Sequence, residues 1–421
     1  MSTYVPRVID TLLAERLQSA GAVVIEGPKA CGKTRSAARA ANSETRLDID
    51  QNARDALRID PSLVLVGRPP QLIDEWQLEA DAVWNHVRRI VDDRSQPGQF
   101  ILTGSAVPAD DARRHTGAGR FAHLSMRPMS LFESGESTGA MSLSALMAGE
   151  RPASPSTGLS VADVATLIVR GGWPLNLKMS AASAARANVD YLRNIAQVDV
   201  PRLDGIDRDP ERVLRVIRSL ARNTAMERNV KRTAADSAMG DGDEAAINRT
   251  TVATYLGALQ RLMVLEEVTA WPTYLRSRAT LRITPRVHLV DPSLAAAALN
   301  AGTERLLSDL NTMGLLFKSL VVRDSRVYVE PLDAAVHYYR DSSDLEVDVV
   351  IQCRDGRWGA IEVKLGTGQV DEAAEHLTAF AHRIDTSRVG EPAFLAVVTA
   401  TGYGYTRPDG VVVVPIAAFG P

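Results

Sequence analysis

Gly27-Pro28-Lys29-Ala30-Cys31-Gly32-Lys33-Thr34 sets a lysine and a hydroxyl directly after the second of two glycines, and Arg35 follows. Glycines let the backbone curl so that successive N–H groups face an anion, and a helix starting there adds partial positive charge. The spacing is that of a phosphate loop, G-x-x-x-x-G-K-[ST], so residues 27–35 are expected to cradle a nucleoside triphosphate. Lys33 then serves the β- and γ-phosphates, and the Thr34 hydroxyl is a ligand for Mg²⁺.

Gln71-Leu-Ile-Asp-Glu-Trp-Gln77 reads as an apolar strand closing in two carboxylates, Asp74 and Glu75. Ligands of open α/β sheets bind at that edge. Asp74 is expected to hold Mg²⁺ through water, and Glu75 to polarise the water that attacks the γ-phosphate. Gln99 to Ser105 is a further buried-looking strand with a polar end, so Thr103 or Ser105 is expected to sense the γ-phosphate or hold the water. In Thr116-Gly-Ala-Gly-Arg120, a glycine turn displays Arg120 as a candidate arginine finger, offered in cis or by a neighbouring subunit.

A third group lies far downstream. Leu345, Val347 and Val349 alternate with Glu346 and Asp348, and Glu362 shares a strand face with Lys364. An aspartate followed across a hairpin by Glu-x-Lys is the pattern of restriction-type nucleases, in which two carboxylates hold Mg²⁺ and the lysine assists a water. Lys318 precedes this group on an apolar helix, and a cation beside such a site opposes the metal. Asp348, Glu362 and Lys364 are therefore read as a vestigial nuclease site.

The elements that must position these residues are legible as periodicities. Val8, Ile9, Leu12, Leu13 and Leu17 have helical spacing, and Ala22 to Ile25 is a buried strand feeding the phosphate loop. Thr45 to Ile49 reads as a strand, Ser62 to Val66 as a strand or a helix end, Trp84 to Val91 as a helix, and Phe121 to Met126 as a strand. Buried strands alternating with helices imply a parallel α/β sheet.

Val24 to Thr34, Leu72 to Trp76, Phe100 to Ser105, and Gly119-Arg120 before Pro128-Met-Ser-Leu-Phe132 together resemble AAA-plus-type ATPases of bacteria and archaea that carry a C-terminal domain of unknown function. Gly171-Gly-Trp-Pro174 and Asp291-Pro-Ser-Leu294 look like further landmarks of that group, so the resemblance spans nearly the whole chain. It implies ATP and ADP as the nucleotides and Mg²⁺ as the metal. It also implies a glutamate in the helix before the nuclease-like hairpin, where this chain has Phe317-Lys318-Ser319.

Between the ATPase and the downstream hairpin, Ser134 to Ser160 is rich in Ser, Gly, Ala and Pro and reads as a flexible connection with a short helix at Leu143 to Met147. Val161 to Val169 is helical, Trp173 is expected to pack against the ATPase, and Ala181 to Val200 is a helix closed by Pro201. Residues 211–223 form an amphipathic helix crowded with Arg212, Arg215, Arg218 and Arg222, and Lys231, Arg232 and Arg249 add to a basic region. With helices at Asn229 to Met239 and Asn248 to Leu259 and a strand at Val264 to Val268, this is a winged-helix plan of three helices and a hairpin, the third helix entering a DNA groove; Leu281 to Val290, before Asp291, resembles a strand landmark of the same group. Asp241, Asp243 and Glu244 oppose such a contact. Gly314 to Val322 is helical, Val327 to Val329 is a separate short segment, and Ala393 to Val398 and Val411 to Pro415 are buried strands.

The expected architecture is α/β: an ATPase domain with a parallel sheet and flanking helices (1–133), a linker (134–160), a helical winged-helix-like region (161–285) and a mixed nuclease-like domain (286–421). With 421 residues, 45% hydrophobic and 24% charged, the chain is ordinary for a multidomain soluble protein, and a net charge of -3 gives no global basic field. Cys31 and Cys353 have no disulfide or zinc spacing. The N-terminal residues show no signal-peptide core, so a cytoplasmic location without membrane contact is expected. The function classes left open are an ATPase whose nucleotide state controls the later domains, with DNA, RNA or further copies of itself as partners; a nucleotide-gated DNA nuclease; and a non-hydrolysing ATP-dependent switch.

Overall fold

The structure, a computed structural model, describes residues 4–106, 117–156, 158–203, 205, 208–237, 248–273, 284–341, 343 and 345–421. Thr116, the Asp241–Glu244 cluster, Met239 and residues 281–283 of the expected strand lie outside them.

The first layer follows the apolar runs. Helix α1 (Val8–Ser19) leads into β1 (Ala22–Glu26), α2 (Lys33–Ala40), β2 (Ser43–Arg46), α3 (Gln51–Ile59), β3 (Gln71–Asp74), α4 (Ala80–Arg94), β4 (Phe100–Gly104) and β5 (Phe121–Ser125). The five strands are all parallel, in the order β2-β3-β4-β1-β5. β1, β3 and β4 are buried almost throughout, because helices cover both faces of the sheet. This order matters for the site: β4 runs between the strand before the phosphate loop and the strand carrying Asp74. Ser62 to Val66 is neither strand nor helix end but a short 3₁₀ turn at Pro61–Leu63 and its exit. The second strand closes at Arg46 rather than reaching Ile49.

Residues 134–160 do not behave as a loose connection. β6 (Met141–Ser142) pairs in parallel with β15 (Phe419–Gly420), and Met141, Leu143, Leu146 and Met147 of β6 and α5 (Leu143–Met147) are buried in the large core. Small polar residues signal loop chemistry in the sequence, but the few apolar side chains among them find a groove in the last domain.

Next come α6 (Val161–Arg170), α7 (Ala181–Asn194), α8 (Val200–Arg202), α9 (Pro210–Arg222), α10 (Val230–Asp236) and α11 (Arg249–Arg261). β7 (Leu265–Val268) and β8 (Arg286–Leu289) then pair antiparallel. Pro201 does not close the helix. A π turn at Ile195–Asp199 separates α7 from α8, and the wider turn makes room for a ring that would clash with a carbonyl in a straight α-helix. Trp173 packs on Tyr191, with ring centroids 4.7 Å apart, and donates to Ser293 Oγ at 3.1 Å, so its partners are helical rather than the ATPase sheet.

The last domain holds α12 (Pro292–Ala298), α13 (Thr303–Ser308), α14 (Leu310–Tyr328), β9 (Ala334–Arg340), β10 (Glu346–Cys353), β11 (Trp358–Lys364), α15 (Val370–Arg383), α16 (Thr386–Val389), β12 (Phe394–Thr399), β13 (Tyr405–Thr406) and β14 (Val412–Pro415). Its sheet is mixed, in the order β13-β14-β12-β11-β10-β9. Val327 and Tyr328 belong to α14 rather than to a separate segment.

A buried polar knot joins these parts. Arg323 donates to Asp291 Oδ2 at 2.8 Å and to Asp324 Oδ1 at 2.6 Å. Asp324 also accepts the Leu131 N–H at 3.1 Å, and Asp291 accepts the Gly172 N–H at 3.0 Å. Buried charges persist only where their remaining lone pairs are satisfied in this way.

Phe419, fully buried and edge-on to Tyr328 at 5.1 Å, is the main apolar anchor of the β6–β15 pair. Phe419→Ala is expected to lower stability by about 3–5 kcal/mol, read as a lower urea midpoint; an unchanged midpoint would show that the 134–160 stretch is not held there.

Candidate functional site

The phosphate loop is shaped by its two glycines. A Cβ on Gly27 would lie 2.0 Å from the Met126 carbonyl oxygen, and Gly32 has φ of 111°, a region that side chains rarely adopt. Thr34 and Lys33 open α2, as the spacing requires. Lys33 is buried and donates to the Gly27 and Pro28 carbonyls, both at 2.8 Å, so its ammonium sits inside the curl.

The acidic strand arrives beside it. Thr34 Oγ1 lies 3.0 and 3.1 Å from the two oxygens of Asp74, and Thr103, at the end of the intervening β4, donates to the same carboxylate. Glu75 is already off the strand, in left-handed backbone with φ of 55°, a conformation that costs a non-glycine residue free energy. Its carboxylate accepts from Gln77 and from Ser105 Oγ at 3.0 Å. Ser105 therefore touches the glutamate, while Thr103 touches the aspartate.

Lys29, Ala30, Gly32, Lys33, Thr34, Arg35 and Glu75 line a cavity of about 950 Å³. A hydroxyl and a carboxylate at its edge form the hard oxygen donor set that suits Mg²⁺. Cys31, by contrast, is buried with its thiol on the Met126 carbonyl at 3.4 Å and faces the core.

Arg120 is not part of this cavity. It bonds Asp92 Oδ1 at 2.8 Å and the Ala118 carbonyl at 2.9 Å, so within its own chain it is not an arginine finger at the phosphate loop.

Several contributors had no signature in the sequence. Arg7 is buried and donates to the Cys31 carbonyl at 2.9 Å while pairing with Glu133 at 3.0 Å, bracing the loop from behind. Arg54, Arg58 and Arg202 line the cavity, the last from α8. Lys29 forms an ion pair with Asp199, and its carbonyl accepts from Tyr191 Oη at 3.3 Å. The π turn is what sets Asp199 against the loop, and no local pattern announces a π turn.

The downstream group is also brought together. Val349 pairs with Ile361 across the β10–β11 ladder, so Asp348 and Glu362 lie opposite each other. Asp348 accepts from Lys318 Nζ at 2.6 Å and from the Val363 N–H at 3.0 Å, with Arg286 at 3.9 Å. Burial pushes the Asp348 carboxyl upward, but Lys318 and Arg286 outweigh it and hold the group below the usual carboxylate range. Glu362 is raised to about 7, by burial first and by Asp348 second. It bonds His376 Nδ1 at 3.1 Å and lies 3.8 Å from Lys364 Nζ. Among the described residues no three His, Cys, Asp or Glu side chains are grouped to hold a metal.

The basic middle helix is more committed than its sequence implies. Arg212 pairs with Asp209 at 3.3 Å and Arg218 donates to the Ala298 carbonyl at 3.2 Å.

Residues 19–134 match the family of an AAA domain. Residues 161–305 and 313–419 match two domains of unknown function, DUF8612 and DUF4143. No curated protein matches. Among solved structures, the chain is similar to the Walker-type ATPase PABY2304 of Pyrococcus abyssi, with 13% identity, 69% of this chain and 94% of that chain covered, and a TM-score of 0.42. It is also similar to the Aeropyrum pernix Orc1 protein in complex with DNA, with 14% identity, coverage of 71% and 95%, and a TM-score of 0.28. On the family match and the loop–acid geometry, the N-terminal part is an AAA-type P-loop ATPase domain. Among the described residues no helix is long and apolar enough to cross a membrane.

Proposed function

We propose that this chain binds ATP with Mg²⁺, hydrolyses it, and passes the nucleotide state to its later domains. The observation that carries the reading is the meeting of Thr34, Asp74 and Thr103 at the mouth of the phosphate loop, with Glu75 beside them. Mg²⁺ held by Thr34 and Asp74 would neutralise charge on the β- and γ-phosphates. Lys33 exchanges the Gly27 and Pro28 carbonyls for phosphate oxygens, gaining a charge-assisted contact. Glu75 accepts the proton of the attacking water, and Ser105 and Gln77 set where its carboxylate stands. Arg120 stays a candidate finger only for the site of a neighbouring copy.

The link to the rest of the chain is Lys29. Its ammonium is held by Asp199; phosphate oxygens at the loop would compete for it, and losing that partner would free the α7–α8 junction to move. Winged-helix and nuclease-like readings of the later domains are supported by the three helices with an antiparallel pair and by the Asp348–Glu362 hairpin.

Glu75→Gln is expected to slow phosphate release by about 10²–10⁴-fold while ATP affinity stays within a few-fold of the parent. Equal and negligible release from both proteins would instead support a non-hydrolysing switch. Asp199→Asn is expected to tighten ATP binding several-fold and to abolish nucleotide-dependent protection of α7–α8 in hydrogen exchange. Unchanged protection differences would remove Lys29–Asp199 as the link.

A further inference from the structure

Two cavities meet at one lysine. One, of about 460 Å³, lies between the α9–α10 connection and the last domain, and Arg228, Arg232, Arg286, Arg340 and Lys318 line it. The other, of about 530 Å³, runs along the start of α14 to the end of β11, with Lys318 and Lys364 as its charged lining. Leu315 and Lys318 belong to both, so the two form one trough with cations along its length.

The carboxylates of the trough are already compensated. Glu227 is paired with Arg340 at 2.9 Å, Glu267 with Arg228 at 2.6 Å, Glu346 with Arg286, and Asp348 with Lys318 at 2.6 Å. Glu362, behind the second cavity, has His376 and Lys364. Arg232, by contrast, is exposed and its hydrogen bonds go to neutral Asn223 and Met226 atoms. Lys318 thus neutralises Asp348 without a divalent cation, and Arg232 is left as the surplus positive charge of the trough.

We propose that this trough binds the phosphodiester backbone of a nucleic acid without a metal ion and without cutting it. The chemistry points to a polymer because the cations are spread over two joined cavities, more than one phosphate can occupy. The cations are arginines and lysines in series, which recognise phosphates irrespective of base. No hydrolysis follows, because an ammonium at Asp348 neither activates water nor leaves room for the ion that would.

The test uses the full chain, fluorescein-labelled 30-mers as single-stranded DNA, single-stranded RNA and duplex DNA, and anisotropy in EDTA. At least one of the three is expected to bind, losing about fifty-fold in affinity between 50 and 200 mM salt if four phosphates of a single strand are neutralised. The double variant Arg232→Glu, Lys364→Glu is expected to lose at least ten-fold and to flatten the salt slope, while Arg232→Lys, Lys364→Arg keeps the parent affinity. The melting temperature and MgATP affinity of the reversal variant report that it is folded. A single phosphate or mononucleotide competing as well as the polymer would overturn the proposal. So would absence of binding in EDTA at the lowest salt, binding indifferent to the charge reversal, or Mg²⁺-dependent cleavage lost on Asp348→Asn.

Discussion

One carboxylate holds the nucleotide site in shape. Asp74 accepts hydrogen bonds from the hydroxyls of Thr34, on the first turn after the phosphate loop, and of Thr103, on the strand between them. Those bonds fix the loop, the acidic strand and the intervening strand in one geometry. Pre-set charge of this kind needs little reorganisation when a reaction develops charge, and electrostatic placement of that sort dominates phosphoryl transfer. Glu75 fits the same logic, since its backbone is left-handed and Ser105 and Gln77 hold its side chain.

The later domains are attached to that site by charge as well as by packing. Lys29 reaches Asp199, and the Arg323 knot takes the Leu131 and Gly172 N–H groups into the last domain. In the proposed link, a change at the loop would meet these polar partners first. The same habit of internal compensation recurs at Asp348, whose charge is met by Lys318.

What was legible in advance follows from how local the signal is. The phosphate loop, the acidic pair and the strand ending in Thr103 and Ser105 are short motifs on apolar runs, and each is where its spacing placed it. The Asp348–Glu362 pairing was legible for the same reason, because alternation along two strands determines which residues face each other. Arg7, Arg202 and Asp199 were not, since their roles depend on which distant backbone they meet. Pro201 misled because a proline usually ends a helix, and here a π turn absorbs it. Ser134 to Ser160 misled because loop-like composition hid four apolar residues that dock far along the chain.

The claim on which all of this depends is that Lys33 and the Thr34–Asp74 pair grip a triphosphate and its metal together. Titration calorimetry of the full chain with ATP tests it most directly. Binding that requires Mg²⁺ and disappears in Lys33→Ala is the predicted result. Affinity that is the same with EDTA, or the same in Lys33→Ala, would contradict it.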